Sequence, residues 1–160
     1  MRIELPIDPA EIPTAQEKGV RVVKGIPMFY KKKPLVVFEK RLQDLLKTAQ
    51  SVPENRIPDG TPVYLHITYL FGYPKSTPKS RRIDLAPMTQ RPDGDNLSKA
   101  VIDSLGDKFT KDKLTKKWVI LRRGFFADDS AITPLVISKF RTTGQPRIVI
   151  VIKPRPEGVA

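Results

Sequence analysis

Two aspartates two residues apart, Asp93 and Asp95 in "RPDGDNLSKAVIDSL", stand where a turn runs into a segment patterned as a helix. Side chains at i and i+2 of an extended or turning backbone share a face, and like charges that close repel. A hard divalent cation relieves the repulsion: Mg²⁺ takes oxygen ligands, typically one or two carboxylates plus phosphate oxygens of a substrate. A helix end is a second remedy, because its free amides favour negative charge by about 0.3 to 1 kcal/mol. Asp-Gly is also ordinary turn chemistry and Asp95 a good N-cap, so a capping role stands beside the metal role. An EF-hand is excluded, because "DGDNLSKAVIDS" lacks the central glycine and the closing glutamate of that loop.

Two further features bear on the pair. Lys99 lies four residues beyond Asp95, on the same helix face, and its side chain leans back toward the helix start. There it can hold a phosphate beside a metal ion, or form no more than an i,i+4 surface pair. Asp128 and Asp129 in "GFFADDSAI" form a second acidic doublet just ahead of a strand-like run. They can complete an all-oxygen site from a distant point of the chain, or serve a turn or cap. His66 has no partner at ligand spacing and reads as a plain strand residue.

The surroundings of these acids are basic. Lys and Arg number 29 against 17 Asp and Glu, a net charge of +12 at pH 7. That balance points to a polyanionic partner, since each cation on a phosphate displaces a condensed counterion, although a solvated basic surface gives the same sum. The bias is strongest in "GYPKSTPKSRRIDLAPMTQRP", where Lys75, Lys79, Arg81, Arg82 and Arg91 face one acid, Asp84. Loops this long are usually functional or disordered, and this one is expected to be exposed and to contact phosphate. The absence of cysteine excludes disulfides and thiolate metal sites, and a single histidine excludes imidazole-rich ones. "MRIELPIDPAEIP" has no apolar signal core, and "IVIVI" at 148–152 falls far short of the roughly 18 residues of a membrane span. The expectation is a cytoplasmic protein with no membrane partner.

The elements that must position the acids follow from hydrophobic period. At 160 residues, 39% hydrophobic and 29% charged, the chain reads as one globular domain. "RIELPI" alternates as a short edge strand, "PTAQEKG" is a loop, and "VRVVKGIPMFY" is extended. Pro34 opens a helix whose apolar stripe is Phe38, Leu42, Leu45, Leu46 and Ala49. After the turn "SVPENRIPDGTP", a strand "VYLHITYLF" puts Val63, Leu65, Ile67 and Tyr69 on one face and His66 on the other. A second helix starts near Asn96, with Leu97, Ala100, Val101 and Leu105 as its stripe and Gly106 past its end. Between 106 and 125 a helical stripe (Leu114, Trp118, Leu121, Phe125) competes with a buried strand "WVIL". "LVISKF" and "RIVIVI" read as strands with "TTGQP" as their hairpin turn. The order β, β, α, β, α, β, β predicts an α+β fold: a mixed β-sheet of four to five strands with two or three helices packed on one face.

"RPDGDNLSKAVIDSL" followed by "GFFADDSAI" resembles the signature of the RusA family of Holliday-junction resolvases, a P-D-x-D-N-L-x-K-A-x-x-D-x-L block ahead of an aromatic-rich D-D-x-x-I/V segment. The strand and basic loop from Val63 to Arg91 keep the same order, and the likeness covers about residues 20 to 153, leaving 1–19 as an N-terminal extension. The resemblance implies a homodimeric, Mg²⁺-dependent endonuclease, with Mn²⁺ able to substitute, on an α+β fold. It implies paired symmetric nicks in branched DNA such as a four-way junction, no nucleotide cofactor, and a bacterial or phage origin. Carried over by position, Asp93 and Asp95 match the family's acidic pair, Lys99 its essential lysine and Asp129 its third catalytic acid, with Asp128 a neighbour of less defined role. Lys75, Lys79, Arg81, Arg82 and Arg91 are then expected to bind the DNA arms.

Thirty-four positions separate Asp95 from Asp129, more than in compact members of the family. The excess lies between Gly106 and Arg123, so 106–125 is expected to be an insertion, and the choice between Asp128 and Asp129 stays open. It adds Lys108, Lys111, Lys113, Lys116, Lys117, Arg122 and Arg123 against Asp107 and Asp112, either as a solvated surface or as further DNA contact. The alternative function is a non-catalytic basic nucleic-acid-binding module whose acids are helix caps and turns.

Overall fold

In the computed structural model, which describes residues 1–13, 18–49 and 56–155, the alternating segments assemble one central sheet. In chain order the elements are β1 (Arg2–Leu5), β2 (Lys18–Val23), β3 (Ile26–Lys31), α1 (Lys33–Ala49), β4 (Val63–Gly72) and β5 (Ala86–Pro87), followed by α2 (Gly94–Leu105), β6 (Lys108–Lys111), β7 (Trp118–Arg122), β8 (Ile132–Thr142) and β9 (Arg147–Pro154). The sheet order is β1-β9-β4-β8-β5. It is mixed: β4 runs parallel to β8 and antiparallel to β9.

One face of this sheet is the core. Val63, Leu65, Ile67 and Tyr69 of β4 are fully buried, beside Ile148, Ile150 and Ile152 of β9 and Ile3 and Leu5 of β1. Leu35, Phe38, Leu42 and Leu46 of α1 and Leu97, Val101 and Leu105 of α2 close over them in the same cluster. Each such side chain contributes about 1.5 to 3 kcal/mol by leaving water. The expected α+β architecture is therefore the observed one, with five strands and two helices. On the opposite face Tyr64, His66 and Thr68 are half-buried, and the His66 ring lies 3.0 Å from Ser138 Oγ as a strand neighbour. Residues 14–17 of the "PTAQEKG" loop, residues 51–55 of the "SVPENRIPDGTP" turn and the Ala49 side chain lie outside what is described.

Two expectations are corrected. "TTGQP" does not close a hairpin, because β4 stands between β8 and β9. The loop arches over the end of β4, where Pro146 packs against Gly72 and Arg141 Nη1 donates to the Gly72 carbonyl at 2.8 Å. Turn residues encode a reversal of direction and say nothing of which strand lies alongside. In the 106–125 stretch the helical stripe fails and the strand reading holds, but "WVIL" is exposed rather than buried: β6 and β7 form a two-stranded hairpin of their own. Its turn is local, with Asp112 accepting from the Leu114 and Thr115 amides at 3.0 and 2.6 Å and Lys116 at φ 58°. Only Phe125 of the proposed stripe reaches the core, held by backbone bonds to Leu105 and Ile57, each 2.8 Å.

Candidate active site at the start of the second helix

Helix α2 begins two residues earlier than its apolar pattern indicates, and the reason is steric. A Cβ on Gly94 would stand 2.9 Å from Ile137 Cγ2 of β8, so glycine at the first helical position lets the helix start flush against the sheet. Asp93 therefore occupies the N-cap, in extended conformation, and Asp95 lies in the first turn. The capping role expected of Asp95 is thus positionally displaced to Asp93, and the Asp93 side chain makes no capping hydrogen bond. Both carboxylates are exposed, at the end of the helix where its dipole favours them.

The end of the helix is fixed from below. Ser98 Oγ donates to the Gly94 carbonyl at 2.7 Å and lies 3.2 Å from the Tyr69 hydroxyl in β4. Burial pushes the Tyr69 hydroxyl far above its ordinary value, so it stays protonated and neutral under the helix. Lys139 of β8 donates to the Gln90 and Pro92 carbonyls, both at 2.9 Å, pinning the approach to Asp93. Lys99 is exposed one turn beyond Asp95. Among the ion pairs of the described residues the i,i+4 pair Asp95–Lys99 does not occur, leaving its ammonium directed to solvent.

The basic loop leads into this helix end and is shaped rather than slack. A 3-10 turn at Lys79–Arg81 and the short β5 punctuate it, and Met88 is buried. Arg82 donates to the Thr77 carbonyl at 3.0 and 2.7 Å and lies over the Tyr73 ring, while Lys75, Lys79, Arg81 and Arg91 are exposed. Asp84 ties the loop to the end of β8, accepting from Thr142 Oγ1 and the Thr143 amide, both at 2.9 Å. Those bonds, the Thr143 amide first, hold the Asp84 carboxyl below its ordinary 3.8. A depressed folded-state pKa makes the tie fully present above the ordinary value and lost as pH falls through the lowered one. The Thr143 amide resonance, followed by NMR from neutral pH into the acid range, is expected to titrate with a midpoint below 3.8; a midpoint at or above that value would show that the tie does not exist.

The second doublet lies elsewhere. Asp128 and Asp129 line a cleft of about 270 Å³ whose other walls include Glu39 and Gln43 of α1 and Ile102 and Asp103 of α2. Asp93, Asp95 and Lys99 do not line it. Asp95, Lys99 and Asp103 follow one exposed ridge of α2 at intervals of four residues, so Asp103 stands about 12 Å along the axis from Asp95 at 1.5 Å per residue. The ridge runs from the acidic pair to the cleft. Among the described residues no three His, Asp or Glu side chains are gathered as a metal would require.

The two doublet members differ. Asp128 caps the 3-10 turn Asp129–Ala131, accepting from the Ser130 amide at 2.9 Å, and its hydrogen bonds with Ser130 hold its carboxyl below the ordinary value. For Asp128 the capping role is real. Asp129, in the first turn, is exposed. Sequence reasoning passed over two acids of the cleft: Asp103, within the matched block and in line with Asp95 and Lys99, and Glu39, 6% exposed, an acid on the apolar face of α1.

A family model described as Endodeoxyribonuclease RusA matches residues 7–153, nearly the whole chain. No curated protein matches it. Among the described residues no helix is long and apolar enough to cross a membrane.

Proposed function

The chain belongs to the RusA endodeoxyribonuclease family, and from that premise we propose that it is a Mg²⁺-dependent, structure-selective nuclease that resolves four-way junctions or related branched DNA, acting as a homodimer in the cytoplasm of a bacterium or of a phage-infected cell. A two-fold dimer presents two equivalent sites, which is what symmetric nicking of two strands of like polarity needs. The observation that carries the reading is the uncapped acid: Asp8, Asp112 and Asp128 each accept a backbone amide of their own turn, whereas Asp93, at the N-cap of α2, does not.

The donor set fits a hard cation. Asp93 and Asp95 offer carboxylate oxygens at an exposed helix end, and Mg²⁺ typically takes one or two carboxylates, waters and substrate phosphate oxygens. Mn²⁺ is expected to substitute. Asp129 is proposed as the third catalytic acid, acting from its cleft at the far end of the α2 ridge and not on the ion held by Asp93 and Asp95, with Asp128 the weaker candidate because it already caps a turn. A bound Mg²⁺ supplies a Lewis acid to the phosphoryl oxygens and lowers the pKa of its water.

The chain's own groups supply the rest. The Lys99 ammonium, one turn inward from Asp95, stabilises charge on the phosphoryl oxygens or positions the attacking water. Lys75, Lys79, Arg81 and Arg91 hold flanking phosphates of the DNA arms, and Arg82 contributes its charge while bracing the loop on Tyr73. The Tyr69–Ser98 contact and the Gly94–Ile137 approach keep the helix end rigid under the load of a bound phosphodiester. The test is incubation of the full chain with a synthetic four-way junction, a fork, a flap and a linear duplex, in Mg²⁺ and in EDTA. Paired symmetric nicks in the junction that need the metal are expected. Binding without nicking, indifferent to Mg²⁺ and weakened by salt, would establish the rival non-catalytic module instead.

A further inference from the structure

The β6–β7 hairpin carries a feature that the proposed reaction does not use. Trp118 is 71% exposed and Leu114 at the turn 92% exposed, on an element whose base is firmly held. Arg122 Nη2 donates to the Ser104 and Gly106 carbonyls at 2.8 and 3.0 Å, so the hairpin projects from the end of α2 on a fixed root. Residues paired across an antiparallel ladder share a face. Phe109 pairs with Ile120 and Lys111 with Trp118, which puts these four side chains on one side. Phe109 also lines the cleft of Asp128 and Asp129. The strip therefore runs from the lip of that cleft to the tip of the hairpin.

Charge decides what such a strip can meet. The two acids of the hairpin region are engaged internally: Asp107 is paired with Arg56 at 2.7 Å and Asp112 caps the turn. What faces outward is cationic, with Lys108, Lys111, Lys113 and Lys117 all exposed around the aromatic and aliphatic side chains. A second copy of the hairpin would bring like charge against like. A strand of nucleic acid offers phosphates to the lysines and flat base faces to Trp118 and Phe109, the pairing of aromatic platform with basic groove that suits unpaired nucleotides.

We propose that the Phe109–Lys111–Trp118–Ile120 face of the β6–β7 hairpin is a stacking surface for unpaired nucleotides of the DNA substrate at its branch point. The inference deepens the nuclease reading and rests on it for the identity of the substrate; the stacking itself can be measured without any cutting. Trp118 is the single tryptophan of the chain, so its fluorescence reports on this face alone.

The experiment titrates the full-length protein, in EDTA, with a short oligothymidylate and with a four-way junction, following tryptophan emission together with the anisotropy of a labelled strand. Quenching that saturates in step with binding is expected. Trp118→Ala is expected to bind oligothymidylate about tenfold more weakly, and Trp118→Phe to recover most of the loss. Unchanged emission at saturating DNA, or wild-type affinity in Trp118→Ala, overturns the inference. So does emission that depends on protein concentration without DNA, accompanied by dissociation of an oligomer in Trp118→Ala, because the strip is then a contact between copies. Quenching by DNA in a protein that never nicks a junction would sink the nuclease reading and leave the stacking surface standing. Nicking without quenching would do the reverse.

Discussion

Asp95→Asn is expected to nick a synthetic four-way junction at least about a hundredfold more slowly than the wild type at saturating Mg²⁺, because a metal-assisted phosphoryl transfer draws several kcal/mol of charge stabilisation from the site and about 1.4 kcal/mol is a factor of ten. The substitution keeps the size of the side chain and removes its charge. Asp95 lies in the first turn of α2 with an exposed side chain, so the structural loss is confined to the charge–dipole contribution of about 0.3 to 1 kcal/mol, partly offset by relief of repulsion from Asp93. The melting temperature should stay within about 4 °C of the wild type. Activity and stability thus move apart, which a general unfolding could not produce. Junction affinity in EDTA should be unchanged or higher, since a negative charge has left a surface that meets phosphate.

Equal nicking by Asp95→Asn and the wild type would remove the proposed site outright. The same series settles the second doublet. Asp128 already accepts the Ser130 amide, and asparagine caps as well as aspartate, so Asp128→Asn is expected to lose less activity than Asp129→Asn. The reverse order would make Asp128 the catalytic acid and its cap incidental. Lys99→Ala is the informative companion: an i,i+4 surface pair would shift stability by a few tenths of a kcal/mol, whereas a lysine on the phosphoryl group shifts the nicking rate with stability unchanged.

What the sequence disclosed and what it withheld divide along physical lines. Amphipathic period is a property of local sequence, and α1, β4 and the stripe of α2 were legible because Leu42, Tyr69 and Leu97 each recur at the spacing their element demands. Sheet order is not local. "TTGQP" announced a reversal, yet whether β8 folds back beside β9 or leaves room for β4 depends on which edge of β4 is free. The start of α2 was misplaced because Leu97 opens the apolar pattern, while the helix itself begins where Gly94 meets Ile137, a contact between segments more than forty residues apart. The hairpin was ambiguous for a different reason. Exposed strands with apolar side chains have no burial to set their period, so "WVIL" carried the propensity of a strand without its environment.

The acids show the same division. Asp93 and Asp95 stood out by their spacing, and the family block pointed to Lys99 as well. Glu39 could be found only by noticing that an acid one residue after Phe38 falls on the stripe of Leu35, Phe38 and Leu42, the face that the helix buries. Asp103 was within the quoted block, two helical turns from Asp95, and its place opposite Asp128 and Asp129 in the cleft is a tertiary fact. The ridge from Asp95 through Lys99 to Asp103 is what connects the two acidic regions that the sequence sets thirty-four positions apart.

Asp107→Ala carries the largest expected effect on stability, and it bears on how the hairpin is held beside the cleft. The Asp107 side chain is 1% exposed and accepts from Arg56 Nη1 at 2.7 Å, from the Gly124 amide at 2.6 Å and from Arg123 at 3.4 Å. Removing one partner of a buried pair leaves the other charge poorly solvated, and here a buried backbone N–H loses its acceptor as well, at a cost of about 3 kcal/mol. Arg56 keeps Asp59, at 2.5 Å, but that carboxylate is exposed and screened. A domain of this size then loses about 6 to 12 °C in melting temperature. Arg56→Met with Asp107→Leu is expected to be less damaging than Asp107→Ala alone, because the Arg56 guanidinium is no longer left without its buried partner, although the Gly124 amide still lacks its acceptor, and a double-mutant cycle measured by urea midpoints gives the coupling directly. If Asp107→Ala unfolds at the wild-type midpoint, the ion pair is not what fixes the root of β6. If it loses stability but still nicks junctions at the wild-type rate well below its melting temperature, the Asp93–Asp95 end of α2 tolerates a loosened hairpin root, and the ion pair serves stability alone.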